Sequence, residues 1–186
     1  IVITVAALTG TLKIGEAISG FANSAIWLIV GAFLFSRGFI KTGLGKRIAY
    51  NLIAAFGSSS LRLAYALALS DLILAPATPS NTARVGGVIM PITTSLAKAF
   101  GSEPQDGPRK IGSFLMQSIY QVNTITSAMF QTSMAGNTLV AALALQSFGI
   151  GITWGDWAMA AIVPGIIALI IMPYFIYKVY PPEITD

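Results

Sequence analysis

Leu74-Ala75-Pro76-Ala77-Thr78-Pro79-Ser80-Asn81-Thr82-Ala83-Arg84 sets a polar, proline-broken turn between two apolar arms, Leu61 to Ala75 upstream and Ala83 to Phe100 downstream. Pro76 and Pro79 lack an N–H, and each pushes the residue before it out of helical geometry, so the first arm ends here. Unpaired backbone groups are costly in lipid, so non-helical chain persists at depth only where it lines a cavity or is buried in protein. A broken apolar segment is therefore a candidate binding site.

The surrounding composition says that lipid is the right solvent to reason in. Of the 186 residues, 55% are hydrophobic and only 10% charged, against about 25% charged in a soluble domain. The mean hydropathy is +0.76. Two stretches read directly as spans, Asn23–Phe35 extended to Ile40 with Arg37 inside it, and Trp157–Tyr180. With no cysteine and no histidine, disulfides, thiol catalysis, soft-metal sites and histidine proton relays are excluded. The chain opens on Ile1 inside an apolar run without a charged leader, and we read it as a fragment of a longer protein. The net charge of +4 reads as cytoplasmic loop charge under the positive-inside rule, not as nucleic-acid binding.

The basic residues predict a topology. Arg37, Lys41, Lys46, Arg47 and Arg62 surround one polar region, Lys98, Arg109 and Lys110 a second, and Lys178 closes the last span; Lys13 and Arg84 stand apart. If 61–100 enters and leaves on one side, nine of the eleven basic residues face the cytoplasm. A single crossing would put the second basic loop outside, so the charge bias predicts a hairpin. Trp27, Trp154 and Trp157 then mark the outer interface, with Lys13, Glu16 and Asp156 in the outer loops, and Tyr174, Tyr177 and Tyr180 mark the inner one. Between Gly43 and Gly57, Leu44 to Phe56 is basic at its start and apolar afterwards, the pattern of an interfacial helix. Gly57-Ser58-Ser59-Ser60 supplies a breaker and an N-cap.

The turn offers two kinds of ligand. Carbonyls of Leu72 to Ala75 lose their helical partners and can face a cation, whereas Ser80, Asn81 and Thr82 add hydroxyl and amide groups at the start of the second arm. Its positive dipole end suits an anion. The alternative is that Ser80 or Asn81 only caps a helix. Asp71 and Arg84 flank the turn on opposite arms. They read either as an ion pair tying the arms together or, for Arg84, as an attractor of a dianionic substrate. Gly86-Gly87 offers a close approach for another backbone. A second break is expected at Thr132 to Asn137, centred on Gly136-Asn137, inside the polar-studded stretch 111–148. Gln117, Gln121, Asn123, Thr124, Thr126 and Ser127 there suit interhelical packing. An intramembrane aspartyl protease needs paired carboxylates; Asp71 is the one embedded acid, so the chain reads as no enzyme. A structural membrane subunit would not require two polar breaks.

The stretch from Leu74 to Gly87 resembles the first hairpin-tip signature of the divalent anion/sodium symporter family. Arg37 to Tyr50 (RGFIKTGLGKRIAY), Thr132 to Thr138 (TSMAGNT) and Tyr180-Pro181-Pro182-Glu183 sharpen the resemblance. Together they are similar to the branch of plastid 2-oxoglutarate/malate translocators and bacterial dicarboxylate or citrate/succinate exchangers. The resemblance implies an all-α integral membrane protein, one inverted repeat of an elevator-type transporter, normally a homodimer in the bacterial inner membrane or plastid inner envelope. It implies scaffold helices over 1–43, an interfacial helix over 44–57, a re-entrant hairpin over 61–100, a broken helix over 111–148 and a transmembrane helix over 157–180, with the second repeat missing. The implied function is transport of di- or tricarboxylates by exchange or sodium-coupled symport, with sulfate or another oxyanion as the alternative cargo. Ser80, Asn81 and Thr82, with Arg84, would contact substrate; Thr78, Ser80, Asn81, Ser133, Gly136 and Asn137 would frame Na⁺, the one ion implied. The chain departs from the sodium-coupled pattern in having Pro76 where a serine is common and Asn137-Thr138 where Asn-Pro is frequent.

Overall fold

A computed structural model describes residues 1–22 and 24–184, so Asn23, the first residue of the expected first span, lies outside the described residues. The described residues are helical and contain no strand. Two short helices, α1 (Val2–Leu8) and α2 (Ile14–Ala17), precede α3 (Ser24–Thr42). Gly43, at φ +68°, sits in the left-handed region that glycine enters without penalty. It turns the chain directly into α4 (Leu44–Phe56), within the bounds set by the two glycines.

The hairpin begins at α5 (Ser60–Leu74), capped by the Ser59 hydroxyl at 3.5 Å from the Arg62 N–H. It is followed by a 3₁₀ turn (Ala75–Ala77), α6 (Asn81–Arg84), a π-helical turn (Val85–Ile89) and α7 (Met90–Ala99). The second arm is thus not one regular helix. Its Gly86-Gly87 pair lies in the π turn; among the described residues a Cβ at Gly86 would meet nothing within 4 Å, and one at Gly87 would meet the Ile40 side chain of α3 at 3.5 Å. Next come α8 (Gly112–Met129), a 3₁₀ turn (Gln131–Ser133), α9 (Ala135–Phe148) and α10 (Trp154–Val179).

α10 starts three residues before the expected Trp157. A capping box explains the difference: the Thr153 hydroxyl accepts from the Asp156 N–H at 3.2 Å, and the Asp156 carboxylate accepts from the Thr153 N–H at 3.0 Å. Asp156 therefore belongs to the helix start and not to a free loop. By length and apolarity, Ser60–Ala77 and Trp154–Val179 can each cross a bilayer. α10 turns Ile162, Val163, Ile166, Ile167, Ile170, Ile171 and Phe175 outward, a surface that suits lipid and not water.

α5 packs against α4, α8 and α10. Leu63, Leu67 and Leu74 meet Ile89 and Ile92 of the return arm, Phe114, Leu115 and Ile119 of α8, and Ile176 of α10 in one core. Alternating Ala64, Ala66, Ala68 and Ser70 keep α5 thin, so its neighbours approach closely. Gly165 does the same on α10, where a Cβ would fall 2.6 Å from Met129, the last residue of α8. Pro173 removes a donor from α10, and in the same turn Tyr65 donates its hydroxyl to the Ile170 carbonyl at 2.5 Å.

One end of the bundle gathers the start of α5, the basic Arg109-Lys110 loop and the tail, whereas Gly45 at the start of α4 lies beside Leu74 and Val88 at the other end. Glu183 and Ile184 donate N–H bonds to the Arg109 and Lys110 carbonyls at 3.1 and 3.0 Å. Ser60, at the start of α5, donates to the Ile184 carbonyl, and the Arg109 guanidinium lies 4.9 Å from the Tyr180 ring. The stretch 60–99 therefore leaves this end and returns to it.

Candidate functional site

At the opposite end of α5 the chain does what its two prolines require. Thr78, ahead of Pro79, is extended (φ −127°, ψ 100°). Ser80 is extended too and acts as the N-cap, its hydroxyl accepting from the Ala83 N–H at 3.2 Å and its carbonyl from the Arg84 N–H at 2.9 Å. The Asn81 Oδ1 accepts from the Thr82 N–H at 2.9 Å. Among the described residues no acceptor takes the Asn81 Nδ2 group. Asn81 is half-buried and Thr82 exposed. The tip thus caps its own helix and still presents an amide donor and a hydroxyl outward.

Four residues on, Arg84 is fully buried, with 0% of its side chain exposed, and pairs with Asp71 at 2%. Its Nε donates to Asp71 Oδ1 at 2.9 Å. Nη1 donates to the carbonyls of Thr78 (3.1 Å) and Ser133 (3.2 Å). Nη2 donates to the hydroxyls of Thr126 (3.3 Å) and Ser127 (2.9 Å). A guanidinium has five N–H groups, and all five are used. The second Asp71 oxygen accepts from the Thr126 hydroxyl and, at 3.4 Å, from Asn123 Nδ2. The ion-pair reading of Asp71 and Arg84 describes this geometry. In this arrangement Arg84 has no N–H left for a substrate, so its expected substrate contact is not met.

The second break lies earlier than expected. Phe130 to Met134 leave helical geometry, whereas Gly136 and Asn137 belong to the first turn of α9. Side chains absorb the carbonyls that unwinding frees at the end of α8. Asn137 Nδ2 donates to the Ser127 and Phe130 carbonyls at 2.7 and 2.9 Å. The Ser133 hydroxyl reaches the same two carbonyls at 2.6 and 2.8 Å. Trp157 Nε1 takes the Ala128 carbonyl at 2.9 Å. Thr132 bridges the breaks, donating to the Pro76 carbonyl at 2.7 Å and accepting from Trp154 Nε1 at 3.0 Å, while Trp154 stacks on Phe130. Asn137→Ala is expected to cost about 1–3 kcal/mol, the penalty for leaving buried polar groups short of a partner. A lowered unfolding midpoint of the full-length protein in detergent would register it.

The expected Na⁺ ligands can now be tested for fit. Thr78 and Ser133 do meet, but their carbonyls converge on Arg84 Nη1. The Ser133 hydroxyl and the Asn137 amide donate into α8 carbonyls, and Gly136 is helical. A desolvated cation needs oxygens pointing at a common vacancy, and the two carbonyls that meet here, those of Thr78 and Ser133, point at a guanidinium. As placed, Thr78, Ser133, Gly136 and Asn137 do not frame Na⁺. Thr126, Ser127, Thr132, Trp154 and Trp157 were not singled out as site residues from sequence. The one signal for Thr126 and Ser127 was adjacency of two hydroxyls in an apolar helix.

Comparison with known proteins adds to this geometry. A family model described as the sodium:sulfate symporter transmembrane region matches residues 1–186. The chain is 58% identical over 185 residues to a putative malate transporter of Bacillus subtilis, covering 99% of this chain and 39% of that protein. It is 51% identical over 180 residues to the chloroplastic dicarboxylate transporter 1 of Spinacia oleracea, covering 96% and 32%. It is 44% identical over 167 residues to an L-tartrate/succinate antiporter of Escherichia coli, covering 89% and 34%. The chain thus spans between about a third and two-fifths of the length of these relatives.

Proposed function

Since the chain belongs to the sodium:sulfate symporter family, a family of integral membrane proteins, we propose that it forms part of a secondary carrier for di- or tricarboxylates of the malate, 2-oxoglutarate, succinate or citrate class. The observation that carries this reading is the half-buried Asn81 amide, whose Nδ2 meets no acceptor among the described residues, beside the exposed Thr82 at the hairpin tip. Ser80, Asn81 and Thr82 supply donors for one carboxylate, and charge-assisted hydrogen bonds of this kind are about twice as strong as neutral ones. The printed names of the relatives, which mention malate, dicarboxylates, tartrate and succinate, support the class of cargo. Sulfate is the second reading, favoured by the family description itself.

In this proposal the chain is one of two inverted repeats of an elevator-type carrier that works as a homodimer, in a bacterial inner membrane or a plastid inner envelope. Residues 1–43 belong to the scaffold, 44–57 lie in the headgroup layer, and the re-entrant hairpin 61–100 with the broken helix 111–148 carries the cargo. The tail contacts that join Ile184 to Ser60 and Lys110 support the hairpin placement. No chemical step is performed on the cargo.

The test is uptake of labelled malate and 2-oxoglutarate into proteoliposomes holding the full-length protein, with and without internal dicarboxylate, in sodium or choline. Saturable uptake that unlabelled dicarboxylate competes away, and sulfate does not, is the expected result. Competition by sulfate alone would replace the carboxylate reading with the oxyanion one.

A further inference from the structure

Three sources of negative potential meet between the two breaks. α5 and α8 both end there, each turning the negative end of its dipole into the junction. The Asp71 carboxylate, 2% exposed, adds a full charge. Oxygens so arranged demand a cation, and broken membrane helices often meet that demand with a bound ion. Here the chain supplies it. We infer that Arg84 is the resident cation of this junction: its Nη1 bonds to the Thr78 and Ser133 carbonyls hold the tip and the second break together and close the junction to Na⁺.

The geometry argues against a shared occupancy. Nη1 takes a carbonyl from each break, Nη2 the Thr126 and Ser127 hydroxyls, and Nε the Asp71 carboxylate. A sodium ion would have to strip the guanidinium of these acceptors and then sit beside its buried charge, where the low dielectric makes like charges repel strongly. Arg84 cannot leave as an ion leaves, because it is tethered to the second arm. The assembly of the junction therefore draws nothing from a sodium gradient. Where the chain acts as the proposed carrier, a premise this consequence rests on, the hairpin tip is set for cargo without a coupling ion at this junction, and exchange is the mode that follows. Arg84 is on this account a positioning residue; it touches no cargo.

The decisive experiment measures melting of the full-length protein in detergent, in sodium chloride against choline chloride at equal ionic strength. Wild type, Arg84→Ser and Arg84→Gln are compared. A ligand that binds only the folded state raises the melting temperature. Removing the guanidinium leaves Asp71 and the two carbonyls facing a vacancy, so both variants are expected to melt below wild type in choline and to gain several degrees more than wild type from sodium. Methylguanidinium is expected to restore Arg84→Ser likewise. Arg84→Gln keeps most of the volume and an amide donor, so it decides the matter if Arg84→Ser does not fold. An equal sodium-minus-choline difference in wild type and variants would overturn the inference, as would a sodium effect present in wild type and lost with Arg84. Melting reports ion binding without transport, so failure here and failure of uptake are separate results.

Discussion

Asn81→Ala is expected to lower carboxylate uptake by the full-length protein about 100-fold while leaving its abundance in the membrane unchanged. The amide is a tip donor that no acceptor among the described residues takes, and its Oδ1 also braces the Thr82 N–H at 2.9 Å. Losing a hydrogen bond to a charged group costs about 1.5–3 kcal/mol, and about 1.4 kcal/mol is tenfold in rate or affinity. The upper end of that range gives the stated loss. Folding should be spared, because Ser80 holds the cap and Arg84 holds the arms. Initial uptake rates in proteoliposomes, normalised to protein incorporated, measure the effect. A rate at the wild-type level in a well-incorporated Asn81→Ala protein would remove the tip from the binding site.

Asp71→Ala should produce the largest loss of stability in the chain, about 3–5 kcal/mol, the usual result of leaving one partner of a buried ion pair alone. The reason is visible in the exposure: Arg84 at 0% has no water to turn to, and a naked guanidinium in such surroundings carries a heavy desolvation penalty. Asp71→Asn retains an oxygen for the Arg84 Nε and should lose less. The paired change Asp71→Leu with Arg84→Met removes both charges and should recover much of the loss, since apolar replacements of buried ion pairs are often tolerated. Melting of wild type, Asp71→Leu, Arg84→Met and the paired variant forms a double-mutant cycle. A double variant no better than the sum of the singles would mean that the two side chains act independently.

Much of the architecture was legible because membranes restrict what a sequence can do. The prolines at 76 and 79 predict where α5 stops, since a missing N–H and a restricted preceding residue act locally. Gly43 and Gly57 bracket α4 for an equally local reason. The second break was harder to place. Gly136 drew attention by composition, yet Phe130 to Met134 unwind without a glycine or proline among them. Their conformation is held by Trp154, Asn137 and the Pro76 carbonyl, partners from other turns and another helix, and no local propensity reports such partners. Asp156 was likewise read as loop charge because the hydroxyl it needs, on Thr153, turns it into a cap only once the chain folds there.

What the residues by themselves determined is a lipid-embedded, all-helical chain with a polar break at Pro76 to Thr82 and charges distributed for a hairpin. Composition, proline geometry and the desolvation cost of lysine and arginine act on each segment separately, so they can be read without the fold. Only the tertiary structure decided what Arg84 does. Its five N–H groups are satisfied by Asp71 thirteen residues back, Thr126 and Ser127 more than forty residues ahead, and two carbonyls from separate breaks. A guanidinium's role depends on how many acceptors surround it in space, and that number is a property of packing.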